Sequence, residues 1–415
     1  MERRRVVITG SGAITPLGNS SKELWRKICL GISGIDKIKK FDVSAFPTQI
    51  AGEVKNFNPL EYKTIDKKDV KRMGLFLQYA LAASELAVKN SGLDLNVVDK
   101  HRIGTIIGAG MGDLEKVVIE EKNLEQKGVK GVSATFVPTS IPNMAAASVS
   151  IKFGFKGPSM GIESACATGT HSVGEAFRKI QYNEADVMIC GGTEGTLFPL
   201  GFSGFCAVRA LSTRNDEPQK ASRPFDLNRD GFVMSEGAGI VILEELNYAR
   251  KRNARIYAEL IGYGTSCDAF HIAAPDSNGV GAILAIERAI KDANISPDKI
   301  DYINAHGTST PMNDKVETIA IKSVLKNHAY KVAVSSTKSM TGHLINATGT
   351  VEVIICAMAL FDGIIPPTIN YEIPDPECDL DYVPNKARDK KLNIVMTNSF
   401  GFGGQNAVLI LKRYP

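Results

Sequence analysis

Nine strand-length runs rich in β-branched and apolar residues recur along the chain, separated by longer segments with helical spacing, and this alternation narrows the architecture more than any other feature. The runs are RVVIT (5–9), RIGTIIGAG (102–110), ADVMICGG (185–192), GIVILEEL (239–246), IYAELIGYG (256–264), KIDYINAHG (299–307), KVAVSST (331–337), KLNIVMTNS (391–399) and NAVLILKR (406–413). Several are apolar at successive positions, so both faces need cover, as in buried parallel strands. Helical spacing over 74–90, 281–294 and 345–360 supplies that cover. The expectation is an α/β protein whose sheets are sandwiched between helices. No Gly/Ser- or Pro-rich linker divides it, and the basic stretch 247–255 reads as a seam between an N-terminal half, 1–252, and a C-terminal half, 253–415.

With 415 residues, 44% of them hydrophobic, the chain can build two sizeable cores. A net charge of +4 is too small to argue for nucleic acid, so an acidic partner would have to be met by a local patch. The longest apolar runs, such as VEVIICAMALF (351–361), fall short of the roughly 20 residues that span a bilayer, and no membrane is expected. The N-terminus enters a strand-like run without an apolar signal core. A cytoplasmic protein is expected, or one of an organelle stroma or matrix after loss of a transit peptide. Seven cysteines without CxxC spacing argue against a disulfide framework or zinc finger.

The sharpest local feature is GPSMGIESACATGTHSVGEAFRKIQ (157–181), a strand-like entry, a turn of small residues and an amphipathic helix, with Cys166 where the helix begins. A thiol there meets the positive end of the helix dipole and free backbone N–H groups, which favour the thiolate. Ser164, Ala165, Ala167 and Gly169 leave room for a bulky acyl group. His306 and His343 lie in glycine-rich loops directly after strand-like runs, where α/β sheets place functional groups. A thiolate can accept an acyl group while two imidazoles polarise a second substrate. The three could also be imagined as zinc ligands, but they already have a coherent metal-free role. A third loop, NSFGFGGQN (398–406), is either a tight turn between the last two strands or a source of oxyanion-binding N–H groups. His101, His171, His271 and His328 are expected at the surface or in helix packing. GSGAITPLG (10–18) and GAGMGD (108–113) fail as dinucleotide loops, the first lacking a third glycine and the second an acidic strand end.

Read together in their order, VVITGSGAITPLG, SACATG, RALSTRNDEPQKASRPFDLNRDGFVMSEGAG, NAHGTST, STKSMTGH and NSFGFGG resemble the elongating β-ketoacyl-acyl-carrier-protein synthases of the thiolase-like superfamily, synthase II most of all. The resemblance spans nearly the whole chain. It implies two similar α/β halves packed as a five-layered α-β-α-β-α sandwich, usually in a homodimer, a duplication that sequence periodicity does not display. It further implies Cys166 as nucleophile, with His306 and His343 serving decarboxylation and condensation. Lys338, Glu352 and Glu317 match supporting charges, and Thr308 and Thr310 match hydroxyls that hold a pantetheine arm. Phe402 matches a gating aromatic whose N–H joins that of Cys166 as the oxyanion hole. Met111 and Phe205 match acyl-tunnel positions. For docking the acidic carrier protein, the basic candidates are Lys67, Lys68, Lys71 and Arg72 with Arg209 and Arg214. The implied reaction is a decarboxylative Claisen condensation with malonyl-acyl carrier protein, which elongates fatty acids by two carbons. No cofactor is implied, and any monovalent cation near Asn304, Glu352 or Asn398 would be structural.

Many relatives read GFGGTN and LGAAG where this chain has Gly404-Gln405-Asn406 and Ile345-Asn346-Ala347-Thr348-Gly349. Both departures flank catalytic loops and bear on substrate preference more than on the reaction. The alternatives are a ketosynthase of a polyketide or other specialised pathway, an initiating synthase or thiolase working on coenzyme A esters, and a non-catalytic chain-length-factor subunit.

Overall fold

The computed structural model describes residues 3–415. Ten strands form the main sheet: β1 (Val6–Ile14), β2 (Ile103–Ala109), β3 (Ser159–Met160), β4 (Val187–Glu194), β5 (Gly237–Glu245), β6 (Ala258–Cys267), β7 (Tyr302–Asn304), β8 (Ala333–Ser335), β9 (Ile394–Gly401) and β10 (Gln405–Lys412). Their lateral order is β8-β7-β9-β10-β6-β1-β5-β4-β2-β3. Counted outward from the middle, each half runs first, fifth, fourth, second, third. The pairings repeat as well. β1–β5 and β5–β4 are antiparallel while β4–β2 and β2–β3 are parallel; β6–β10 and β10–β9 are antiparallel while β9–β7 and β7–β8 are parallel. The halves join where Val6 of β1 lies opposite Leu260 of β6. This is the thiolase-like α/β fold with two similar halves.

The strands burdened with apolar residues on both faces are not all parallel, as their composition suggested. β1, β5 and β10 are antiparallel to their neighbours, yet both their faces are covered because helices lie on each side. Side-chain alternation sorts each strand between two cores. In β4 and β5, Met188, Cys190, Val241 and Leu243 face a middle layer built on Phe177, Ile180, Val351 and Ile354. Val187, Ile189, Ile240 and Ile242 face the opposite way, onto Phe76, Leu77 and Ala80 of the helix Leu75–Ser91. In β10, Leu409 and Leu411 join the middle layer, while Val408 and Ile410 pack on Ile286 and Ala289 of the helix Val280–Ala293. Each large aliphatic side chain so enclosed contributes about 1.5–3 kcal/mol.

Two equivalent helices make the middle layer, α1 (Thr168–Gln181) and α2 (Thr348–Asp362). Each follows a turn whose first residue is a non-glycine with positive φ, Ala165 at 48° and Ile345 at 46°. Each begins with the same four residues, Ala167-Thr168-Gly169-Thr170 and Ala347-Thr348-Gly349-Thr350. On this correspondence Asn346 stands where the other half has Cys166. Among the described residues only the stretch Ile345–Asp362 is long and apolar enough to cross a membrane, and it is enclosed in this middle layer.

Candidate active site

Cys166 does not sit within the first turn of α1. It lies one step earlier, in the 3₁₀ turn Ala165–Ala167, buried among side chains. The turn is pressed against the loop that follows β9. A Cβ on Gly401 would fall 2.7 Å from the Ser164 carbonyl oxygen and 3.2 Å from the Cys166 nitrogen, so only glycine permits that approach. At Gly403 the chain turns with φ 78°, and its N–H donates to the Ile272 carbonyl over 2.8 Å. The backbone N–H of Phe402, at the start of this turn, and that of Cys166 itself both favour the ionised sulfur. The position before the helix was expected to favour the thiolate. Burial outweighs it: desolvation pushes the thiol up to about 11, against the pull of the Lys338 ammonium and those N–H groups.

His306 and His343 reach the same space from the other half. Their rings are 5.6 Å apart between centroids and nearly perpendicular, at 86°. The His306 loop is held from below by Glu317, whose two oxygens accept the backbone N–H groups of His306 and Gly307 at 2.8 and 2.7 Å. Asn398 adds a hydrogen bond to the same carboxylate at 3.0 Å, tying the loop after β7 to the end of β9. The His343 backbone pairs with Val233 and Ser235 at 2.7 and 2.8 Å. Its Nδ1 shares a 2.9 Å hydrogen bond with the Thr348 hydroxyl. His306 Nδ1 and His343 Nε2 are buried without a protein partner. Burial, reinforced by the Lys338 charge, holds both imidazoles well below the ordinary range, with His343 adding to the effect on His306. Lys338 itself is fully enclosed and pairs with Glu352 at 2.5 Å. Burial still pushes the Glu352 carboxyl up to about 7 despite that partner.

Cys166, His306 and His343 line one cavity of about 400 Å³, together with Phe205, Phe402, Thr308, Thr310 and Arg209. The hydroxyls of Thr308 and Thr310 lie 3.0 Å apart on one wall. Met111 does not reach this space: in the single chain it is 37% exposed, just past the end of β2. Lys67, Lys68, Lys71 and Arg72 form an exposed six-residue helix with an Asp66/Asp69 capping box, and none of them lines the cavity. Arg209 is exposed at the rim with φ 58°, while Arg214 is half-buried and donates to the Asn228 carbonyl over 3.3 Å.

Two histidines that sequence reasoning left aside are also here. His171 Nδ1 shares a 2.7 Å hydrogen bond with the Ser164 hydroxyl and so braces the turn carrying Cys166. His271 stands at the cavity wall, its Nδ1 accepting the N–H groups of Ala273 and Ala274 at 3.1 and 3.0 Å. No helical spacing signalled this pair, because Ser164 precedes the 3₁₀ turn while His171 lies in the first turn of α1.

A structural monovalent cation can be tested against the donor atoms. Asn304 Oδ1, Asn398 Oδ1 and Glu352 Oε2 are all buried without partners, and the β7–β9 register sets Asn304 beside Thr397, next to Asn398. An all-oxygen set with one carboxylate suits a hard cation of low charge. Held by these three residues, such an ion would neutralise orphaned oxygens and fix the ends of β7 and β9. No cluster of three or more His, Cys, Asp or Glu side chains suited to a metal occurs among the described residues.

The sequence matches two family descriptions, "Beta-ketoacyl synthase, N-terminal domain" over residues 3–249 and "Beta-ketoacyl synthase, C-terminal domain" over 257–372. The chain belongs to the β-ketoacyl synthase family. It is 51% identical over 413 residues to the 3-oxoacyl-[acyl-carrier-protein] synthase 2 of Coxiella burnetii, covering all of this chain and 99% of that protein. With the synthase 2 of Synechocystis it shares 48% over 414 residues, again 100% and 99% of the two chains. Among solved structures it superposes on the ishigamide ketosynthase/chain length factor with TM-score 0.92 and 35% identity, covering 100% of both chains. A type II polyketide acyl carrier protein in complex with its ketosynthase matches with TM-score 0.90 and 35% identity, also over 100% of both chains. The chain is thus a condensing enzyme, an acyltransferase that forms carbon–carbon bonds, of the synthase II type.

Proposed function

We propose that this enzyme elongates acyl chains carried on acyl carrier protein, with Cys166 as nucleophile and His306 and His343 as hydrogen-bond donors to the second substrate. The observation that carries the reading is the convergence of these three residues on one cavity, where the Phe402 and Cys166 N–H groups favour the ionised sulfur. The Cys166 thiolate attacks the carbonyl carbon of an acyl thioester, and the oxyanion is held by the Cys166 and Phe402 N–H groups. The carbon–sulfur bond to the carrier breaks, and the carrier leaves as a thiolate that takes up the proton Cys166 released on ionising. Malonyl thioester then loses carbon dioxide, leaving an enolate whose oxygen accepts from His306 and His343. The enolate carbon attacks the acyl group, the bond to Cys166 breaks, and a β-ketoacyl product two carbons longer departs. In this reading Thr308 and Thr310, on the cavity wall, hold the pantetheine arm, and Phe402 opens and closes the mouth.

The carrier is acidic in the family that the sequence resembles, and the exposed cations of the helix Lys67–Arg72 with Arg209 at the cavity rim offer it a surface. Mixing the purified protein with acyl- and malonyl-carrier protein should yield β-ketoacyl product. Reversing Lys67, Lys68 and Lys71 to Glu should raise the apparent KM for carrier-bound substrate roughly 10-fold at low salt, with little change for short pantetheine thioesters. Absence of product sinks the reading; equal effects on both substrate forms remove only the patch. The 48–51% identity to synthase 2 enzymes, against 35% to the two ketosynthase structures, favours fatty acid elongation over a specialised pathway. An intact Cys166 with both histidines disfavours a non-catalytic subunit.

We also propose that the working form is a homodimer joined at β3. This edge strand ends the ten-stranded sheet with both its residues, Ser159 and Met160, exposed, and Met111 and Ile141 are further exposed apolar side chains of the same half. An open edge with apolar side chains is a template for a second copy, and Met111 would then be covered by the partner and could close the acyl tunnel with Phe205. Light scattering should give twice the chain mass of 44.7 kDa, and Met160→Lys should shift it toward one.

A further inference from the structure

The two halves put the same threonine to different uses. In α1, Thr168 Oγ1 accepts the Ser164 N–H at 2.8 Å and the Asn346 side-chain amide at 2.9 Å, so it secures backbone. Its counterpart in α2, Thr348, does not take up the matching Leu344 N–H. Its hydroxyl turns to His343 Nδ1 at 2.9 Å.

We infer that Thr348 is a positioning residue which fixes His343 in the tautomer carrying its proton on Nε2, the nitrogen that faces the cavity. Thr348 is 1% exposed and His343 2%, so neither can look to bulk water for a partner. A hydroxyl has one proton to give, and Nδ1 is the one acceptor it has among the side-chain hydrogen bonds of this region. With that proton placed on the Nδ1 lone pair, the imidazole's own hydrogen must reside on Nε2. That nitrogen has no partner within the protein, and His343 lines the cavity beside Cys166. The reverse arrangement would strand the threonine proton in a dry site and turn a lone pair toward the substrate oxygen, which repels an enolate instead of stabilising it. The inference rests on the proposed donor role of His343.

The test separates half-reactions. Thr348→Val keeps the shape and removes the hydroxyl, so malonyl decarboxylation should fall about 10- to 100-fold in kcat, as for lost partners that orient a functional histidine. KM and single-turnover acylation of Cys166 should stay within about twofold, since uniform binding is untouched. Thr348→Ser, which restores the hydroxyl, should recover most of the rate. Nitrogen-15 imidazole spectra, with His343 assigned by its loss in His343→Ala, should show the Nε2–H form in the parent and a mixed population in Thr348→Val. If Thr348→Val does not fold, Thr348→Ala carries the same comparison. Decarboxylation within about twofold of the parent in the hydroxyl-free variant, or no recovery with serine, overturns the inference while leaving His343 in place. An His343→Ala variant that still decarboxylates removes the donor reading and this inference together.

Discussion

Cys166→Ala is expected to abolish condensation, by at least about 10⁴-fold, because the covalent intermediate has no other place to form. Malonyl decarboxylation should survive, since it needs the imidazoles and not the sulfur. Mass spectrometry of the parent protein after incubation with acyl-carrier protein should find the acyl group on Cys166 and on none of the other six cysteines. Alkylating reagents should behave differently. Cys267 is the one exposed thiol among the described residues, whereas burial pushes the thiols of Cys29, Cys166, Cys190, Cys356 and Cys378 up. Iodoacetamide near neutral pH should therefore label Cys267 first without loss of activity. Inactivation should follow the slower Cys166 adduct and accelerate as the pH rises, the sign required of a thiol whose deprotonated form is disfavoured by burial. Rapid inactivation with Cys166 unmodified, or acyl transfer to another cysteine, would falsify the nucleophile.

How much of this could be read from the residues depends on which force was involved. The nine strands other than β3 were legible because enclosed strands must be apolar, whether or not they are parallel. β3 was not: it is two residues long with both side chains exposed, and it counts as a strand only because Thr105 and Ile106 pair with it. The duplication lies in pairing order, which leaves almost no trace in periodicity; Ala-Thr-Gly-Thr, repeated at 167 and 347, was its one visible mark. Cys166, His306 and His343 stood out by their loops, but their meeting in one cavity follows from both halves presenting their strand ends to the same place. Helix position alone suggested an easily ionised thiol at Cys166. Desolvation, which no local pattern displays, reverses that sign. Thr348 and His171 act on residues five and seven positions earlier, across a turn that interrupts helical spacing, and only the departure from the LGAAG pattern hinted at the first.

Removing either imidazole should divide the reaction most sharply. His343→Ala and His306→Ala are each expected to slow malonyl decarboxylation about 10²- to 10³-fold, the scale seen when a preorganised donor to a developing oxyanion is lost. Acyl loading onto Cys166 should fall far less, because it draws on the Phe402 and Cys166 N–H groups. The pH dependence follows from the same burial. Desolvation and the Lys338 charge keep both rings neutral well below the ordinary imidazole value of about 6.5. Decarboxylation should thus pass through that pH without an inflection and decline only in more acid solution, where protonation costs the folded state its dry, neutral pair. Stability has the same sign. Below about 6.5 the unfolded chain takes up protons that the folded histidines refuse, so folding free energy falls as the pH falls toward their lowered values. Denaturant midpoints measured between pH 7 and 5 should therefore drop for the parent and drop less for the double variant. An activity profile that breaks near 6.5, with the break lost on replacing one histidine, would show that histidine titrating freely and would remove it from the buried donor pair. A histidine variant that loses loading and decarboxylation in equal measure would instead mark that ring as support for the cavity wall, leaving the enolate to the other donor.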